Sequence, residues 1–484
     1  MPGLWQRSVE LWPYLGLLAE ALNVALIPAV LVRRKEPPST LAWILALLFL
    51  PGFAAALFLV HGRDRMRWPA KRKRAADRMV EARLGGVRAS AQPFDAFADV
   101  AGEGQRIFRA CQSLGGAIEL TSGNHVEVFA DGSNASLAME RAIDAAKSTV
   151  LAEYYLVRND ATGARFRERL VRAAERGVDV RLLLDAYGCF WLPASWFRPL
   201  KAAGVKVAEF LPLSQALRLP MNLRTHRKIL VVDGDTAFTG GLNVGDEYVG
   251  AKGSEAMWRD THVRITGPAV GSLTAVFLRD WHFMTGQSDV DARFFPEARP
   301  AGAVHVAVVP SGPDDPRESI HRLFFAAIVG ARQRVWITTP YFVPDRSLLV
   351  ALESAALRGV SVHMILPSRS NHRVTHRAGT SFYAELLEAG VELYEYLPGM
   401  IHSKTMLVDD ELVLIGSANM DMRSFRLNFE VHTLMHDRTL TETVEARFEQ
   451  DRANCRQLRL EQWMRRPWHH RLREGAARLV SPIL

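Results

Sequence analysis

One short pattern occurs twice in this chain, and its repetition constrains the fold more than any other feature. In His226-Arg227-Lys228, four residues separate the lysine from Asp233; in His402-Ser403-Lys404, four residues separate it from Asp409. Each copy runs on through apolar residues to a small-residue pair and an asparagine, Gly240-Gly241-Leu242-Asn243 and Gly416-Ser417-Ala418-Asn419. The surroundings repeat as well. An amphipathic helix (Ser136–Ser148) before a strand (Thr149–Leu156) returns as Ile320–Ala331 before Val335–Thr339. Asp160 is matched by Asp345, Arg176-Gly177-Val178 by Arg358-Gly359-Val360, and Ala203-Gly204-Val205 by Ala389-Gly390-Val391. A period of roughly 180 residues is too long for a solenoid repeat, whose units run 20–50 residues. It marks a duplicated, fused domain. The expected fold is α/β: two tandem domains, 94–300 and 301–484, with mixed, mostly parallel sheets flanked by helices. Pseudo-two-fold packing would bring matching residues together.

Side chains at i and i+2 of a strand share a face, so His226 pairs with Lys228 and His402 with Lys404 on largely apolar strands. A single such pair reads best as a packed or solvated histidine beside a surface lysine. Two copies, each trailed by the same Gly/Ser and Asn, point to a shared site. A phosphodiester is shielded by negative oxygens, so attack on it needs cations and hydrogen-bond donors. Lys228 and Lys404 supply ammonium groups; Asn243, Asn419 and Ser417 supply neutral phosphate contacts. A neutral imidazole attacks phosphorus and a protonated one protonates the departing alkoxide, so two histidines provide both functions through a phosphohistidine. Such chemistry requires no metal or other cofactor, and no metal-ligand spacing stands out. Each imidazole also needs an acceptor on its other nitrogen. Asp260 and Glu430, found at corresponding positions after His226 and His402, are the expected orienting carboxylates. Asp233 and Asp409 complete the motif and enter the catalytic set; at strand ends they also fit a turn or salt-bridge role. His469-His470 lies in a basic tail and reads as solvated, and Cys111, Cys189 and Cys455 as packing residues of a reducing compartment.

Composition bears on the substrate. Leu11–Val32 and Thr40–Val60 are apolar runs of 22 and 21 residues, each long enough for a hydrocarbon core that takes about 20 helical residues. They predict a transmembrane hairpin over 1–62, although Glu20, Asn23 and two prolines make the first the weaker span. A basic connector over 63–93 follows. The net charge of +8 is unevenly distributed: Gly62–Arg88 carries ten basic and three acidic residues, Arg452–Arg478 eight and two, leaving about −6 for 89–451. An acidic body argues against nucleic acid. A basic flank beside a span fits anionic lipid headgroups and, by the positive-inside rule, puts both termini and the catalytic body in the cytoplasm.

The paired motifs with their trailing Gly/Ser-x-Asn resemble the phospholipase D superfamily. Further phrases are similar to its bacterial cardiolipin synthases: Trp258-Arg-Asp-Thr-His262, Pro340-Tyr-Phe-Val-Pro-Asp345, Arg423-Ser-Phe-Arg-Leu-Asn-Phe-Glu430 and Arg478-Leu-Val-Ser-Pro-Ile-Leu484, besides the hairpin. The resemblance spans essentially the whole chain. It implies a multi-pass enzyme of the bacterial cytoplasmic membrane, acting on phosphatidylglycerol. One phosphatidylglycerol would be cleaved to a phosphatidyl-histidine and glycerol, and a second would resolve it to cardiolipin. His226 would be the nucleophile and His402 the acid/base, an assignment the near-symmetry of the motifs does not itself decide. Gly241, where the second copy has Ser417, departs from the usual pattern and would remove a hydroxyl from the phosphate pocket. Hydrolysis by water or transfer to another alcohol is the alternative outcome.

Overall fold

The computed structural model describes residues 20–32, 37–50, 52–58, 73–75, 77–78, 80–81, 102–113, 118–212, 223–250, 257–287 and 290–479. The chain divides into two compact units, Met1–Trp68 and Pro69–Leu484.

In the first unit, residues 20–31 are helical and pack against a helix at Pro37–Phe49 and a short one at Phe53–Leu57. Val30, Leu47, Ala54, Ala55 and Phe58 form its buried centre. Asn23 Nδ2 donates to the Leu47 carbonyl at 2.8 Å, so the amide nitrogen of a polar residue in the first apolar run finds its acceptor in the second. Among the described residues no helix is long and apolar enough to cross a membrane, which departs from the two expected spans. Residues 11–19 of the first run lie outside the described residues. The described part of the second run is divided between a helix ending at Phe49 and one starting at Phe53, whose N-cap Gly52 takes φ 75°. Its 13-residue helix reaches about 20 Å at 1.5 Å per residue, short of a core of about 30 Å. Large apolar side chains, among them Val32, Phe49, Leu50 and Phe53, are exposed on this unit.

The second unit is built on one sheet made of two matching halves. The first half contributes β1 (Leu120–Phe129), β2 (Thr149–Tyr154), β3 (Asp179–Asp185), β4 (Lys206–Phe210), β5 (Arg224–Thr225), β6 (Lys228–Val232), β7 (Thr236–Gly240) and β8 (His262–Thr266). The second contributes β9 (Val304–Ser311), β10 (Arg334–Thr338), β11 (Phe342–Val343), β12 (Ser361–Pro367), β13 (Glu392–Tyr396), β14 (Thr405–Val408), β15 (Leu412–Gly416), β16 (Met420–Asp421), β17 (Asn428–His436) and β18 (Cys455–Gln457). The order β1-β8-β7-β6-β2-β3-β4 is repeated as β9-β17-β15-β14-β10-β12-β13, extended by β18. Antiparallel pairing of β1 with β9 joins the halves; the short β11 and β16 pair separately.

The sheet is mixed, but antiparallel pairs predominate over the expected parallel ones. Along the main strand order β2-β3-β4 and β10-β12-β13 run parallel, because there helices cross over; the two-residue strands β5 and β11 also pair in parallel, with β17 and β16. The motif strands β6 and β14 return at once through tight turns into β7 and β15. The repeated phrases find their reasons at helix ends. Asp160 and Asp345 are N-caps, accepting from Gly163 N at 2.8 Å and Leu348 N at 3.1 Å. Gly177 and Gly359 take φ 89° and 87°, stopping those helices in the left-handed conformation glycine tolerates. Helices Gly132–Ala145 and Ala161–Glu175 bury Ile143, Phe166 and Leu170 against Val150 and Leu182 of the sheet. In the second half, Ser319–Gly330 and Arg346–Leu357 bury Leu323, Ala327 and Leu352 in the same way.

Candidate active site

Each histidine lies just before its motif strand, on backbone that pairs with the opposite half. β5 runs parallel to β17, and His226 N donates to the Phe429 carbonyl at 2.8 Å. Correspondingly, Arg259 bridges to Ile401, and His402 N donates to the Arg259 carbonyl at 2.7 Å. The residue after each acceptor is a carboxylate, so the pairing crosses the molecule. His226 Nδ1 lies 2.9 Å from Glu430 Oε1, and His402 Nδ1 lies 2.6 Å from Asp260 Oδ2. Both carboxylates are fully buried. The sequence singled out these two residues by their position after the histidine of their own half; in the fold each serves the histidine of the other. With Nδ1 engaged, Nε2 of each ring is left for chemistry.

The lysines share the site. Lys228 Nζ donates to the His226 carbonyl at 2.6 Å, and Lys404 Nζ stands 3.0 Å from His402 Nδ1. Neither ammonium is appreciably exposed. Burial pulls Lys228 down to about 7, against the pull of Glu430, with Lys404 adding repulsion. Burial likewise lowers Lys404 to about 8 although Asp260 and Glu430 favour its charge. Burial holds His226 near 4 and His402 near 3, outweighing their carboxylates, and Lys404 and Lys228 each act on the other half's histidine. Glu430 is desolvated, yet His226, Lys228 and Ser417 bring it to about 2. Asp260, also desolvated, is lowered by His402 and Lys404. The result is a neutral histidine pair backed by two anions and two weakened cations. An arriving phosphate anion would strengthen every cation it meets.

The remaining expected residues fall into two groups. Asn243 Nδ2 donates to Tyr248 Oη at 2.8 Å and Asn419 Nδ2 to Asp421 Oδ2 at 3.2 Å. The Oδ1 atoms of both are buried without a partner. Ser417 does not face a phosphate as expected: its hydroxyl bonds Glu430 Oε2 and Val431 N, the latter at 2.9 Å. Gly241, its counterpart, has no such task because Asp260 Oδ1 would lie 2.0 Å from any Cβ there. The shorter aspartate with glycine, and the longer glutamate with serine, are two ways of fixing one carboxylate. Asp233 and Asp409 stand outside the reacting group, contrary to the catalytic role the motif implied. Asp233 accepts from the backbone N–H groups of Lys147, Ser148 and Thr149, and Asp409 from those of Arg332, Gln333 and Arg334. Most of the length of β6 or β14, at about 3.3 Å per residue, separates them from the imidazoles.

Other residues at the site escaped the sequence reading. Tyr155 packs edge-on to His226 at 5.2 Å, and Trp258, Tyr248 and Tyr341 surround His402. Tyr155 follows β2 directly and Tyr341 follows β10 after Thr339 and Pro340, a repeat blurred by this unequal offset. Arg227, which alternates with His226 and Lys228, points to the other side of the strand. It pairs with Asp280, which Lys73 also binds at 2.8 Å, and its Nε donates to the Glu430 carbonyl at 3.0 Å. The backbone carrying the His226 partner is thus held by a buried ion cluster.

This geometry agrees with comparison to known proteins. Residues 139–281 and 324–452 match the family model described as cardiolipin synthase, PLD-like domain. The chain is 36% identical to a cardiolipin synthase of Halalkalibacterium halodurans over 94% of its own length and 91% of the relative's. It is 37% identical to cardiolipin synthase A of Pseudomonas putida, over 97% and 98%. In fold it is similar to the crystal structure of phosphatidylserine synthase from Haemophilus influenzae, with TM-score 0.60 and 15% identity over 79% of this chain and 100% of that one. The chain belongs to the cardiolipin synthase family, within the phospholipase D superfamily.

Proposed function

We propose that this chain is a cardiolipin synthase that transfers a phosphatidyl group from one phosphatidylglycerol to the hydroxyl of another, with His226, Lys228, His402, Lys404, Asn243, Asn419, Asp260 and Glu430 as its working residues. The observation that carries this reading is the crossed pair of histidine–carboxylate contacts inside a family member. His226 Nε2 attacks phosphorus and the P–O bond to glycerol breaks. His402, protonated as the phosphate anion raises its proton affinity, delivers that proton to the glyceryl oxygen. The phosphatidyl group is then on His226, and His402 is neutral. It takes the proton of the second phosphatidylglycerol's terminal hydroxyl as that oxygen attacks phosphorus, releasing His226. Proton and charge return to their starting positions, so the exchange is reversible. Lys228 and Lys404 neutralise the phosphate oxygens, and the amides of Asn243 and Asn419 donate to them.

The halves 94–300 and 301–484 are read as the two duplicated domains, preceded by a membrane hairpin (1–62) and a basic connector. The exposed apolar surface of the first unit supports insertion of the hairpin into the bacterial cytoplasmic membrane, with the catalytic body on the cytoplasmic side. Membranes carrying the protein, given labelled phosphatidylglycerol, should form cardiolipin and glycerol in equal amounts. Phosphatidic acid without cardiolipin would sink the synthase reading, and full activity in His226→Ala or His402→Ala would sink the two-histidine mechanism.

A further inference from the structure

Two loops, one in each half, hang over the tyrosines that pack on the histidines. The first, residues 186–193, follows β3. Its Cys189 Sγ approaches the Tyr155 carbonyl at 3.5 Å, and Asp185 binds Tyr187 N and Gly188 N at 2.9 Å and Thr225 N at 3.0 Å, one residue before His226. The second follows β12 and runs from Ser368 into the first turn of a helix at Arg373–Thr380. Its Asn371 accepts from Tyr341 Oη at 2.6 Å, and His372 packs edge-on to the same ring.

The first loop is a fixed turn with two faces. Phe190 N donates to Tyr187 O at 3.2 Å and Leu192 N to Cys189 O at 3.0 Å, while Cys189 and Leu192 are buried in the core. Three of its four exposed positions are aromatic, Pro193 being the fourth: Tyr187 is 61% exposed, Phe190 57% and Trp191 83%. Three aromatic side chains on one rigid turn, held in water, form the kind of apolar patch that marks an interaction surface. The second loop exposes Arg369, His372 and Arg373 instead. An aromatic loop and a basic loop, each in contact with a tyrosine that packs on one of the two histidines, match the two layers of a membrane interface, where Trp and Tyr settle at headgroup level and cations meet anionic headgroups.

We propose that the 186–193 loop inserts Phe190 and Trp191 into the interface of an anionic bilayer, so that the mouth of the active site opens directly onto the lipid leaflet. The proposal rests on the reading that the substrate is a membrane phospholipid. The occupant is a bilayer rather than a protein because the loops flank a site whose own substrate lies in that bilayer, and their charge complements its headgroups.

Two measurements on the full-length chain test it. In vesicles of brominated phosphatidylglycerol, tryptophan emission should be quenched, and the wild-type minus Trp191→Phe difference should isolate quenching at Trp191 from the other ten tryptophans. In activity assays, Phe190→Ser/Trp191→Ser should lose about tenfold or more with bilayer phosphatidylglycerol, given the apolar area two aromatic rings bury, and nothing with short-chain phosphatidylglycerol below its micelle concentration. Absence of Trp191 quenching, or equal loss on both substrates, overturns the proposal. If the wild type makes cardiolipin from neither substrate, the reaction assigned above fails, while the quenching comparison still decides whether the loop meets lipid.

Discussion

At the scale of single residues, the site's main property is that four titrating groups have been shifted towards neutrality by burial. Both lysines are lowered, Lys228 to about 7 and Lys404 to about 8, and phosphate binding needs their charged forms. In the free enzyme that charge is lost as pH rises through about 7 to 8. The kcat/KM profile should therefore fall with rising pH above about 7. Once bound, the phosphate anion favours the ammonium, so the corresponding fall in kcat should lie at higher pH. Free-enzyme and complex profiles report these two sets separately. A Lys228→Arg variant, whose charge persists beyond pH 12, should move the lower of the two alkaline limbs upward if it retains activity. A kcat/KM profile flat to pH 9.5 in the wild type would show that neither lysine titrates as the geometry requires.

At the scale of elements, much was legible. The duplicated phrases predicted duplicated strands and helices, because caps such as Asp160 and left-handed stops such as Gly177 are local devices written in a few residues. Strand direction was less legible: apolar runs like Ile229–Val232 look alike in parallel and antiparallel sheets, and only the turn after them decides. That turn also explains the motif aspartates. Asp233 and Asp409 take φ 52° and 51°, a left-handed conformation in which aspartate and asparagine are several-fold enriched, while their carboxylates gather three backbone N–H groups. Asp233→Ala should lower stability by about 1–2 kcal/mol, the loss of hydrogen bonds from one exposed and two part-buried N–H groups to a charged acceptor, and Asp233→Asn by less. In both, kcat of the folded protein should match wild type. Urea unfolding with an unchanged m-value reads the first effect, and cardiolipin formation per folded molecule reads the second. A large loss of kcat with normal stability would return Asp233 to the reacting group.

At the scale of the whole molecule, the sequence named the participants of the site but not their partnership. Asp260 and Glu430 were found through internal symmetry, which gives each a place after the histidine of its own half. Symmetry alone does not reveal that β5 leaves its own half to pair with β17, a non-local contact with no local signature. The crossing makes a specific kinetic prediction. With a phosphatidyl donor carrying p-nitrophenol, departure needs no protonation, so the first step depends on the nucleophile and its carboxylate alone. If His226 is the nucleophile, His402→Ala and Asp260→Asn should release a burst of p-nitrophenol and trap an acid-labile phosphatidyl group on His226. His226→Ala should give no burst, and Glu430→Gln should slow it by on the order of 10²–10⁴-fold, the usual scale of acid–base assistance. If His402 is the nucleophile, the same four variants exchange behaviour in pairs. In either case Glu430 must group with His226 and Asp260 with His402. Rapid-quench measurement of the burst, with the modified histidine located by mass spectrometry, separates these patterns. Glu430→Gln behaving like His402→Ala would mean that each half orients its own histidine, and the crossed arrangement would have to be abandoned.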